Sequence, residues 1–143
     1  MEQDTVKLLR ECDAGVKMGI ASIGDVLDHV TDEALYTQLT HCKTEHEQLQ
    51  REIRELLADH RDEGKEPNPI AKGMSKIKTG MMLGVNDSDA TIADVMTDGC
   101  DMGIKSLNRY LNQYKAADEV AKDIAKKLIQ QEEQLGQQLR RYL

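Results

Sequence analysis

The sequence predicts an all-α fold: a four-helix bundle of two antiparallel hairpins joined by a long crossover. Three observations predict it. Both prolines, Pro67 and Pro69, and a cluster of glycines from Gly64 to Gly84 fall in one central stretch, which leaves long uninterrupted segments on either side. Within those segments apolar residues recur at alternating steps of three and four, as on a helix with one buried stripe. The two flanking segments also match each other.

Taken in order, the first helix runs from about Asp4 to Val30. Its stripe is Val6, Leu9, Val16, Ile20, Ile23, Leu27 and Val30, with Asp13 filling the gap. Thr31 reads as the N-cap of a second helix, with Asp32 and Glu33 in its first turn. That helix carries Leu35, Leu39, Cys42, His46, Leu49, Ile53 and Leu56 in the same alternation. So short a junction makes the two helices antiparallel neighbours.

The crossover spans residues 61–88. Asn68-Pro69 is a helix start, with Asn as cap and Pro at the first position. Ile70, Met74, Ile77 and Met81 then give a short amphipathic helix ending near Gly84, expected outside the four-helix core. Asn86 to Asp89 form a polar turn and cap. The third helix, about Ser88 to Tyr114, turns Met96, Cys100, Ile104, Leu107, Leu111 and Tyr114 inward. A tight turn at Lys115–Asp118 leads to the fourth, whose stripe is Ala121, Ala125, Leu128, Glu132, Leu135, Leu139 and Tyr142.

The halves repeat. Cys12-Asp13-Ala14-Gly15-Val16-Lys17 matches Cys100-Asp101-Met102-Gly103-Ile104-Lys105, and Glu47-Gln48-Leu49 matches Glu133-Gln134-Leu135. The offset changes by two residues at the hairpin turn, where a length change is easiest. A single domain over 1–143 is expected, with equivalent hairpins at about 4–57 and 90–143.

Composition narrows the function. The net charge is −7, and no long Lys/Arg stripe offsets it, which argues against nucleic-acid or anionic-lipid partners. With no Phe or Trp, the core must be built from aliphatic residues and methionine. Cys12, Cys42 and Cys100 are scattered with no CxxC pair, as expected of buried thiols in a reducing compartment. No leader or membrane span is legible near the N-terminus, so a cytoplasmic location is expected. An acidic surface with a Met-bearing crossover makes a homodimer the expected assembly. Phosphate-binding loops, a nucleophile elbow and HExxH are absent, and no catalytic residue stands out.

The remaining signal is polar. Ionisable residues interrupt three stripes, at Asp13, His46 and Glu132, and Asp101 stands at the edge of the other. The repeat pairs Asp13 with Asp101, and His46 with Glu132, so the four are expected to meet at one level. Such a set suits iron, manganese or zinc. Cys42 and His46, one turn apart on one face, could also share a zinc.

This arrangement resembles the ferritin-like superfamily, bundles of two related hairpins in which the first and third helices each give a carboxylate and the second and fourth give Glu-x-x-His. Asp13 and Asp101 take the single-carboxylate places, shortened from Glu, and His46 and Glu132 take the histidine places. Lys43 and Ile129 stand where the two further glutamates belong. The resemblance therefore implies the fold without complete di-iron chemistry. Two functions remain: a bundle with an altered metal site, in metal handling or stress defence, or a metal-free structural or protein-interaction module.

Overall fold

In the computed structural model, residues 2–62, 64 and 88–143 are described. They form four long helices and no strand: α1 (Glu2–Leu27), α2 (Glu33–Asp59), α3 (Asp89–Gln113) and α4 (Glu119–Leu139), with a closing 3-10 turn at Arg140–Tyr142. The short helix expected at Pro69–Gly84, with its methionines, lies outside the described residues. No helix among those residues is long and apolar enough to cross a membrane.

Each later helix begins on a side-chain cap. Asp32 accepts from the Leu35 amide at 2.9 Å, Ser88 from Thr91 at 3.2 Å and Asp118 from Ala121 at 2.8 Å. The cap of α2 is thus Asp32 and not Thr31. A carboxylate is the stronger acceptor there, and Thr31 is engaged elsewhere, giving its amide and hydroxyl to Asp89 at 2.9 and 2.8 Å. Helix α1 ends at Leu27, three residues early, because the His29 and Val30 amides close tighter bonds to Val26 and Leu27.

The end contacts define the course of the chain. Thr31 and Asp32, before α2, bond to Asp89 at the start of α3, so α2 and α3 run parallel. Asp4 and Thr5, at the start of α1, bond to Ala116 and Asp118 at the start of α4, so α1 and α4 also run parallel. The helices therefore go up, down, down and up. α1 touches all three others, whereas α2 and α3 stand at opposite corners.

That contact pattern explains what the simple stripe missed. Leu8, Cys12 and Val26 are buried on α1 beside the expected Leu9, Val16 and Ile23, because a helix touched on three sides needs a wider apolar face. On α2 it is Leu57 rather than Leu56 that is buried, and on α3 Ile104, Leu111 and Tyr114 are only partly covered. Two apolar clusters result. One, around Leu9, Val16, Leu49, Ile53, Leu107 and Leu128, fills the end where α1 begins. The other, around Ile23, Leu35, Leu39, Met96, Leu135 and Leu139, fills the opposite end.

Candidate functional site: a polar layer between two cores

The two cores meet at one polar layer. On α2, His46 lies between Cys42 of one cluster and Leu49 of the other; on α4, Glu132 lies between Leu135 and Leu128. His46 is 1% exposed. Its Nε2 lies 2.9 Å from Glu132 Oε1, and its Nδ1 lies 3.7 Å from Cys42 Sγ. In the tautomer that carries its proton on Nε2, that nitrogen donates to Glu132, and Nδ1 accepts from the Cys42 thiol.

The other two helices make room. A Cβ at Gly19 of α1 would stand 2.7 Å from the His46 ring, and one at Gly103 of α3 would stand 3.6 Å from the Glu132 carboxyl carbon. A larger residue at 19 would collide with the imidazole. At Gly15 an added Cβ would lie 3.6 Å from Leu128 of α4, an ordinary contact, so Gly19 is the position on α1 where the absence of a side chain is required.

Cys100 completes the layer from α3. Its thiol hydrogen-bonds to Glu132. Burial, then the Glu132 charge and that bond, push the Cys100 thiol far above its ordinary range. Burial, with Glu132 and Glu45, pushes Cys42 up to about 12. Both thiols are therefore protonated at neutral pH. No three His, Cys, Asp or Glu side chains among the described residues already surround one point as a metal site would.

The expected four-residue layer is thus rearranged. His46 and Glu132 meet. Asp13 is buried, 1% exposed, but it lies six residues before Gly19, about 9 Å down the axis. There it takes Lys17 Nζ at 2.7 Å and lies against Gly64. Asp101 is exposed and does not join. The difference between the two aspartates is cover. Gly64, at φ 91 with its amide bonded to Asp62 Oδ1 at 2.8 Å, lies over Asp13, and any Cβ there would come within 2.5 Å of Asp13 Oδ2. No described residue covers Asp101 in this way, and it is exposed.

Sequence reasoning found the His46–Glu132 pair and the proximity of Cys42. It placed Cys100 inward without joining it to the layer, and it missed Gly19. The available signal was a glycine in both α1 and α3 at the level where α2 and α4 carry polar residues. Searches against family models, curated proteins and solved structures return no match.

Proposed function

We propose that this chain is a non-catalytic helical module of ferritin-like descent, without di-iron chemistry, that works through its surface. One observation carries the reading. Among the described residues, the buried carboxylate and the buried imidazole are each answered from within the chain, Asp13 by Lys17 and His46 by Glu132. Removing Lys17 would leave the Asp13 carboxylate buried without its cation, and removing Glu132 would leave a buried imidazole nitrogen without its partner, so the His46–Glu132 contact holds α2 and α4 in register. A groove of about 310 Å³ between α2 and α4 is lined mainly by glutamine and glutamate, with Lys127.

The ferritin-like part of the proposal is supported by the up, down, down and up course. It is supported as well by the contact between His46 and Glu132, 86 residues apart and equivalent in the repeat. Repeat-equivalent residues touch each other only near the axis that relates two halves.

Oxygen-consumption and iron-oxidation assays test the proposal. Aerobic Fe(II) mixed with the purified protein should oxidise at the rate of the buffer control. An excess rate that His46→Gln and Glu132→Gln abolish, in variants that keep their helicity, would overturn it.

A further inference from the structure

We infer that the outer face of α3 is a self-association surface, on which a second copy of this chain docks antiparallel about a two-fold axis at Met102. The inference deepens the module reading and rests on it, since it names the working surface and the partner that the surface takes.

The face is one stripe. Asp94, Asp98, Asp101, Met102, Lys105 and Arg109 recur at the three- and four-residue steps of a single helix side, and all six are exposed. They point directly away from Met96, Cys100 and Leu107, which α3 buries. Met102 is 68% exposed, the most open of the large hydrophobic side chains among the described residues.

The order of charge carries the argument. Before Met102 the stripe is acid, and after it the stripe is base. Laid antiparallel on its own copy about the midpoint between Asp101 and Met102, it sets Asp98 opposite Lys105 and Asp94 opposite Arg109. Two-fold symmetry makes each pairing twice, so a single register opposes every one of these charges with its complement. The two Met102 side chains then meet near the axis. Gly99, one turn earlier, has nothing within 4 Å of an added Cβ, which leaves room beside Met102 for the same residue of the second copy.

Within one chain the same order is unfavourable. Asp94 and Asp98 are like charges one turn apart, and so are Lys105 and Arg109, and such pairs work against their own helix. Attraction to the helix ends does not account for the pattern. That effect fades within one turn, and Asp98 and Lys105 both lie at least two turns inside Asp89–Gln113. A second copy sets an opposite charge against each repelling pair. The matching stretch of α1 supplies a contrast. Gly64 lies over Asp13 there, whereas Asp101, at the equivalent place in the sequence match, is exposed.

Exposed ion pairs around one methionine contact make a weak, salt-sensitive dimer. Sedimentation equilibrium of the full chain under reducing conditions should show the mass rising with concentration towards twice that of the monomer. Raising salt from about 50 mM to about 500 mM should weaken association on the order of tenfold. Two double variants test the register. Asp94→Lys with Asp98→Lys, and Lys105→Asp with Arg109→Asp, each make the stripe repel its own copy, so each should sediment as a monomer with unchanged helicity. Mixed in equal amounts, the two should associate again, because one stripe is now basic where the other is acid. A second measurement uses the unaltered chain. In a mixture of isotope-labelled and unlabelled copies, carbodiimide should join Lys105 to Asp98 across chains of different label, read by mass spectrometry. A monomer mass at all concentrations, association indifferent to salt, a double variant that still dimerises, a mixture that stays monomeric, or cross-links confined to one chain would each overturn the surface. A chain that oxidised iron could still dimerise through α3, and a chain without iron chemistry could stay monomeric, so the two proposals fail separately.

Discussion

Gly19 is where a single atom decides between two opposite effects. Alanine is normally preferred to glycine inside a helix by about 1 kcal/mol. Gly24, on the same helix, has nothing within 4 Å of an added Cβ, so Gly24→Ala should raise stability by up to that amount. At Gly19 the same methyl meets the His46 ring at 2.7 Å, and Gly19→Ala should lower stability by about 1–3 kcal/mol. Urea denaturation of the two variants side by side checks the pair, and a stabilised Gly19→Ala would remove the close approach on which the layer depends. The thiols make a second claim at this scale. Burial, with Glu11 and Asp13, raises Cys12 from 9.0 to about 12. The folded chain therefore holds that proton more tightly than the unfolded one. The contribution is complete below about pH 9 and is lost as pH rises towards 12. The stability gap between the natural chain and Cys12→Ala should accordingly shrink between about pH 8 and about pH 10.5 in urea titrations. A gap that widens would contradict the burial of the neutral thiol.

The helices themselves were largely legible, and the reasons are local. A step of three and four names the buried face of α2 nearly residue by residue, from Leu35 to Ile53, because a helix packed on one side needs only one stripe. The same rule falls short on α1, whose extra buried residues Leu8 and Val26 answer to neighbours that periodicity does not reveal. His46 and Glu132 could be found because each breaks an apolar stripe. Asp101 stands at a stripe's edge, where a few degrees of helix rotation turn a residue in or out, and it turns outward. The cover over Asp13 could not be found, since it comes from Gly64, 51 residues further along the chain. Capping was misplaced by one residue at Asp32, and that residue carries a prediction. Its carboxyl is held below the ordinary 3.8, first by the Leu35 amide, then by the Tyr142 hydroxyl. A depressed value means that the charged form supports the fold above about pH 4 and stops doing so as pH falls through the lowered pKa. Asp32→Ala should thus lower the melting temperature at neutral pH, with the difference from the natural chain fading only in strong acid. Tyr142→Phe should reproduce part of the loss, since it removes the hydroxyl that donates to Asp32 at 2.8 Å. Equal melting curves at neutral pH would discount the cap.

At the scale of the whole molecule, an end-to-end comparison shows how the bundle is fastened. One end is tied by Asp89 holding Thr31 and Asp32, and by Tyr142 reaching the same Asp32. The other is tied by Asp4 and Thr5 accepting from Ala116 and Asp118. Between them lie two apolar cores and the polar layer, so a change at His46 is felt equally far from both fastenings. The parallel run of α1 and α4 has a mechanical consequence. Glu2 and Leu143 sit at opposite ends of the bundle, so a force applied through them slides α1 lengthwise against its neighbours and strains all its contacts at once. A force applied through Glu2 and Asp59, which share one end, instead peels α1 from α2 a turn at a time. Single-molecule pulling should therefore show a markedly higher rupture force for the first pair of handles than for the second, and the direction of load, more than the strength of any one bond, would set how firmly this chain resists being drawn apart.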